Sequence, residues 1–557
     1  MRELGRRKFL KTAGISSLLF ATGERLFPSG FGGHVDLEYS RLEQHELDPT
    51  NASGFAHPLL LPLDRGQLGI FGASSNFTMT AKEIDHEILP GRMTKLWAYE
   101  IEQAGKRYIN PILKLRRGDG FSTTLRNELP DETVIHWHGF RVDGRNDAHP
   151  SYVIPPGGED QYAFEVLNRA AAYWYHPHPS DITGRQVYLG LASFFLVDDD
   201  QDEYLKNSLD LNLGETDIPL LLQDRQFDSD GALIYNPTMM ERFMGFLGDI
   251  ILVNHTVKPY LDVSTRTYRF RVLNGSNARI YRLAFMAGSN RMPFALVGND
   301  GGLLEKPYQT DEVFLAPGER VDVLLDLSNL EVGDVVFLKS LAFDAMENEM
   351  MRGMGRTMDG MGGSMTDVGD MGRAMGDGQG SGLESGEEFY ILTLKVQKHL
   401  AYDRPIPARL SEIRTVDLKS ANRRRFLLSN RMMQWFINGW TFQMNEYPVV
   451  VARDSVEIWE IQNSQMSMPH PMHIHGFPFQ VLKRTGSPRQ TGRLAVDNKG
   501  LLATDQGWKD TLLVWPGEKV WLAVDFSHDF LGEQSYLCHC HNLEHEDQGM
   551  MINYKVI

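Results

Sequence analysis

Ten of the chain's 18 histidines fall in four short clusters: His136-Trp137-His138-Gly139, His176-Pro177-His178, His470-Pro471-Met472-His473-Ile474-His475-Gly476, and His539-Cys540-His541 running on to His545. Each cluster contains a His-x-His pair. On an extended strand, residues i and i+2 leave the same face, so each pair delivers two imidazoles to one place while the middle residue points away. Neutral imidazole ligates copper, zinc and iron, and eight converging imidazoles with few carboxylates suit a polynuclear copper centre better than calcium or magnesium. The remaining histidines, His34, His57, His255 and His399 among them, read as ordinary surface or core side chains.

The fourth cluster is the most specific. In His539-Cys540-His541 the two imidazoles face one side of a strand and the thiolate faces the other, so one segment can touch two metal centres. On the thiolate side Cys540, His545 and His470 supply the sulfur and two nitrogens of a blue-copper site, with Met550 as a weak axial thioether. A zinc site made from Cys538-His539-Cys540-His541 is strained, because alternation sends its ligands to opposite faces. Cys538 reads instead as a small buried thiol.

These clusters need strands to position them, and the rest of the chain supplies strand signals. Short runs rich in Val, Ile, Phe, Tyr and Thr, such as Tyr268–Leu273, Val321–Leu327 and Val520–Phe526, alternate with Gly, Pro, Asn and Asp punctuation. Long amphipathic helical patterns are scarce, so the expectation is all-β. Two echoes count the units. Pro156-Gly157-Gly158-Glu159, Pro317-Gly318-Glu319-Arg320 and Pro516-Gly517-Glu518-Lys519 each open onto a strand-like run, and Asn127, Asn274 and Asn463 each interrupt one. Three similar sandwiches follow, over residues 46–200, 201–400 and 401–557. Between Pro179 and Pro469 only His255 and His399 occur, so the polynuclear site must bridge the first and third units, with the middle unit as scaffold.

The chain has 557 residues, 42% of them apolar and 23% charged, an ordinary globular balance. Its net charge of −17 opposes binding to nucleic acid or anionic lipid, and two cysteines are too few for a disulfide framework. At the N-terminus, within 1–45, Gly5-Arg6-Arg7-Lys8-Phe9-Leu10-Lys11 precedes a short apolar run. That run is too brief to span a membrane and resembles a twin-arginine export signal, which implies the twin-arginine machinery as a partner and a periplasmic or secreted location.

The motifs HWHG, HPH, HPMHIHG and HCHNLEHEDQGMM match in order and spacing the four copper-binding segments of the multicopper oxidases, and the chain most resembles the bacterial laccases and copper efflux oxidases. The resemblance implies three cupredoxin-like Greek-key β-sandwich domains and four copper ions. It places His136 and His473 on a type 2 copper. It places His138, His176, His178, His475, His539 and His541 on a type 3 pair, and His470, Cys540, His545 and Met550 on a type 1 copper. Asp147 and Glu546 match positions where related enzymes place acidic proton donors, and the same residues serve equally to hold ligand histidines.

The segment from Met346 to Met375 holds nine of the 25 methionines among many glycines, inside an insertion spanning 344–388. Without periodicity it cannot form a core, and its thioethers suit Cu(I). Met346, Met350, Met351, Met354, Met358 and Met361 are therefore candidates for a substrate-copper site, as are Met466 and Met468 just before His470. The expected enzyme is a monomer that oxidises Cu(I), phenols or both with dioxygen as acceptor, in copper tolerance. A laccase acting mainly on aromatic donors and a copper-sequestering protein without turnover are the alternatives.

Overall fold

Alternation along the strands builds the layers. In Phe77–Leu89 the residues Phe77, Met79 and Ala81 are buried while Thr78 faces solvent, the period-two pattern of a sheet with one covered face. Asp217–Arg225 is buried at every position, as befits a strand covered on both sides. The computed structural model describes residues 50, 52–74, 76–347 and 383–557. Met350, Met351, Met354, Met358, Met361 and the export signal lie outside the described residues.

Among the described residues, six sheets pack in pairs around three main apolar cores, the all-β arrangement that the strand signals predict. In the first pair, a six-stranded sheet built on Phe77–Leu89 and Arg92–Gln103 faces a five-stranded sheet containing Ile135–His138 and Ala171–Pro177. The middle pair has two seven-stranded sheets, one of which receives His57–Pro58 alongside Pro259–Ser264. The third pair is five-stranded on both sides, and one of its sheets runs Val449–Val451, Met551–Val556, Gln534–Cys540, His470–Ile474, Thr511–Val514.

The two sequence echoes meet in space, three times over. Asn127, Asn274 and Asn463 each end a strand, and their amide N–H groups donate to the carbonyls of Gly158, Glu319 and Glu518 at 2.9, 3.1 and 2.9 Å. Each side-chain amide then ties down two carbonyls: Asp131 and Ile154, Arg279 and Leu315, Met468 and Val514. One buried asparagine thus locks each Pro-Gly turn to the end of its strand, which satisfies backbone groups that would otherwise be buried unpaired.

The middle core carries an ionic knot. Arg269 donates to Asp202 at 2.5 Å and also pairs with Asp322, while Arg271 makes two 2.7 Å bonds to Asp217. Burial alone would raise the Asp202 and Asp217 carboxyls, but the facing guanidinium groups outweigh it and hold both below the usual range. Groups with depressed folded pKa contribute fully above the unfolded value, near 4, and lose that contribution progressively as pH falls from there through the lower folded value. Asp202→Asn should therefore cost roughly 3 kcal/mol or more at pH 7. Its urea midpoint should approach that of the parent at pH 3; an equal gap at both pH values would contradict the argument.

Candidate metal centre

Strand pairing gathers the histidines. Ile135–His138 lies antiparallel to Ala171–Pro177 with His176 opposite His136, and His470–Ile474 lies antiparallel to Gln534–Cys540 with His473 opposite His539. The two sheet ends meet, so eight imidazoles from the first and third units share one buried space: His136, His138, His176, His178, His473, His475, His539 and His541. His178, His475 and His539 converge as one trio, and His136 with His473 and His475 as another.

Hydrogen bonds fix which nitrogens face inward. His136 donates from Nδ1 to the Asp147 carbonyl at 3.0 Å and His473 from Nδ1 to the Asp510 carbonyl at 2.8 Å. A carbonyl only accepts, so both Nε2 atoms carry lone pairs, yet they lie 3.3 Å apart. The same holds elsewhere. His176 donates to the Pro177 carbonyl and His138 donates from Nε2 to Asp510, which leaves His138 Nδ1 and His176 Nε2 facing at 3.3 Å. His475 donates to Asp147 at 2.7 Å and His539 to the Cys540 carbonyl at 3.1 Å, leaving their Nε2 atoms 3.0 Å apart. His541 has both ring nitrogens buried without a hydrogen-bond partner among the described residues. Facing lone pairs with no proton between them call for cations, and this donor set is all imidazole. Burial, helped by neighbouring rings, pushes His178 down to about 4 and His541 to about 3, so both are neutral and able to ligate near pH 7.

Cys540 faces the other way. Its Sγ lies 3.4 Å from His470 Nδ1 and 3.5 Å from His545 Nδ1, and all three are buried. The outer nitrogens are held: His470 Nε2 is 3.1 Å from Ser467 Oγ, and His545 Nε2 donates to the Phe243 carbonyl at 2.9 Å. Met550 is buried beside them, with its carbonyl accepting the Cys540 N–H at 3.0 Å. Cys538 is a buried free thiol between Ile474 and Ile552, pushed up to about 12 by burial. It stands apart from the ligating group.

The two carboxylates singled out in the sequence reach the cluster. Asp147 grips His475 through Oδ2 and His136 through its carbonyl, and burial raises its carboxyl well above the usual value. Glu546 sits 3.1 Å from His539 Nδ1 and 3.4 Å from His178 Nε2. Among the candidate methionines, Met466 is 76% exposed, Met468 packs partly buried on the third core, and Met346 is exposed.

Five residues of the site escaped the sequence. Asp510 and Thr511 contact His138 and His473, and nothing in their spacing resembles His-x-His. Arg320 binds both Asp510 oxygens, at 2.7 and 2.6 Å. Gly318, at φ +82°, lies against His541, where a Cβ would come within 2.9 Å of the ring. With Phe243, the last two come from the middle unit, which supplies no histidine to the cluster but is more than the scaffold expected of it.

Comparison with known proteins agrees with this geometry. Residues 86–202 and 415–557 each match a family model described as multicopper oxidase. The chain is 32% identical over 484 residues to the multicopper oxidase mco of Staphylococcus aureus, covering 86% of this chain and 88% of that one. It is 28% identical to a laccase of Bacillus subtilis, over 85% of this chain and 93% of the laccase. Among solved structures, the McoA multicopper oxidase of Aquifex aeolicus superposes with a TM-score of 0.77 at 39% identity, covering 90% of this chain and 99% of its own. The chain belongs to the multicopper oxidase family: it is a copper-dependent oxidoreductase of three cupredoxin-like domains with dioxygen as acceptor.

Proposed function

We propose that the protein couples one-electron oxidation of Cu(I), phenolic donors or both to four-electron reduction of dioxygen to water, in copper tolerance. The observation that carries this reading is the placement of Cys540, with its sulfur between His470 and His545 while its chain neighbours lie in the imidazole cluster, His539 beside His178 and His475 and the His541 ring against His138, His176 and His473. His470, Cys540, His545 and Met550 would hold a type 1 copper and His136 and His473 a type 2 ion. His138, His176 and His541, with His178, His475 and His539, would hold a type 3 pair, four ions in all. Bound copper supplies a one-electron acceptor at the thiolate and a multi-electron donor to dioxygen at the cluster.

The chain's own part is positioning. Asp147, through its carboxylate and its carbonyl, fixes the tautomers of His475 and His136 so that their bare nitrogens point inward, and Glu546 sits beside His539 and His178. Such outer partners set ligand orientation and basicity. Their role as proton donors is the second part of the same proposal. The backbone of Cys540 joins the thiolate site to His539 and His541 with no intervening residue. Domains at 46–200, 201–400 and 401–557, a monomeric state, and export through Arg6-Arg7 to the periplasm or medium complete the reading.

Dioxygen uptake by the copper-loaded protein, with Cu(I) and with a phenol, tests it. Deleting Met346–Met375 should lower the cuprous rate and leave or raise the phenol rate. Equal cuprous rates would remove copper collection from that segment and favour an aromatic-donor laccase. No uptake with either donor would leave only sequestration.

A further inference from the structure

His545 is covered from outside. The Phe243 carbonyl that accepts its Nε2–H also accepts Trp435 Nε1–H at 2.8 Å. The Phe243 ring lies flat on Trp435, with centroids 4.6 Å apart and planes 3° apart, and Trp435 packs in turn on both His470 and His545. Phe243 belongs to a helical turn, Met239–Met244, that has no buried residue of its own. Met239 is 74% exposed. A turn with so little packing must be held at its ends.

Both ends converge on one carboxylate. Tyr235 donates its hydroxyl to Glu544 Oε1 at 3.0 Å, and the Phe246 N–H donates to Glu544 Oε2 at 2.9 Å. Asn277 adds a 2.8 Å bond to Oε1, and Glu544 immediately precedes His545. Gly245, at φ +104°, presses so close to Ala278 and Asn542 that a Cβ there would lie 2.4 Å from the Ala278 methyl. The segment is therefore drawn down onto the helix that carries the ligand.

We propose that Tyr235–Phe246 is a strap, clamped by Glu544 across the outward edge of His545, that sets donor specificity by excluding bulky aromatic donors from that imidazole. This rests on the reading of His470, Cys540 and His545 as the electron-accepting site. A donor that must touch the ring edge meets the strap instead, while one that works across a few ångströms of packed Phe243 and Trp435 does not need it displaced.

Two variants of the copper-loaded full chain test the strap: Tyr235→Phe, and a chain with Met239–Arg242 replaced by two glycines, which keeps Phe243. One readout is the rate at which deuterium labels the backbone amides of Leu543–Asp547, the helix beneath the strap, followed by peptide mass mapping, which needs no turnover. The other is dioxygen uptake with 2,6-dimethoxyphenol divided by uptake with hexaammineruthenium(II), an outer-sphere donor. Tyr235→Phe should raise labelling and the ratio about fivefold, the weight of one hydrogen bond, and the shortened strap should raise both about tenfold or more. If the shortened chain does not fold, Tyr235→Phe decides. Unchanged labelling and an unchanged ratio, with ruthenium-driven uptake intact, would overturn the strap alone. A parent without visible copper absorption or ruthenium-driven uptake would overturn the electron-accepting site, and the strap with it.

Discussion

Cys540→Ser should abolish the visible copper absorption and lower dioxygen uptake by about a thousandfold or more, equivalent to roughly 4 kcal/mol on the limiting barrier. The reason is that one side chain serves two purposes. Its sulfur completes the group with His470 Nδ1 and His545 Nδ1 at 3.4 and 3.5 Å, and its backbone leads directly to His539 and His541. A serine oxygen is a hard, weakly acidic donor in a site that needs a soft one. Burial raises the Cys540 thiol well above its ordinary value, so the thiolate is worth having there only with a cation beside it, and the hydroxyl cannot match that exchange. Folding should survive, since serine is smaller than cysteine and the imidazole cluster on the opposite face keeps its strands. A Cys540→Ser protein that turned over at the parent's rate would end the proposed route from donor to dioxygen.

Arg320→Met should destabilise the protein by about 3–5 kcal/mol, the expected cost of leaving buried charge unpaired. Arg320 is fully buried and spans all three units: its guanidinium binds the Ala172 carbonyl at 2.9 Å, the Asp300 and Gly318 carbonyls at 3.0 and 2.9 Å, and both Asp510 oxygens. Asp510 also accepts from His138, so the loss disturbs the imidazole cluster as well as stability. Arg320→Lys should rescue little, because a point charge cannot reproduce the planar fork. Pairing Arg320→Met with Asp510→Leu should recover part of the stability while leaving dioxygen reduction impaired, since His138 Nε2 then keeps only the Thr511 hydroxyl, at 3.1 Å, in place of a carboxylate. Urea midpoints and uptake rates measured on the same preparations check both statements; an Arg320→Met midpoint equal to the parent's would refute the first.

Much of the centre was legible because its chemistry is local. A His-x-His pair on a strand needs only the two-residue period to aim both rings at one face, and Cys540 between two histidines needs only the same period to face away. The repeated Asn and Pro-Gly signals were legible for a similar reason: each pair closes one strand end, so the pattern recurs wherever the sandwich does. Other partners left no such trace. Asp510 follows an ordinary Trp508-Lys509, Arg320 follows an ordinary Pro-Gly turn, and Phe243 lies in a segment with no histidine nearby.

From the sequence alone came the ligand types, their division between two faces of one strand, the all-β class and the threefold repeat. The tertiary structure decided which imidazole nitrogens face each other, which carbonyl or carboxylate holds each ring, and that the middle unit reaches both sites through Arg320, Gly318 and Phe243. The division is physical. Side-chain direction along a strand is set by backbone stereochemistry over two residues, whereas a bond such as that from Arg320 to Asp510 joins positions 190 residues apart and exists only after three separate cores have packed against one another.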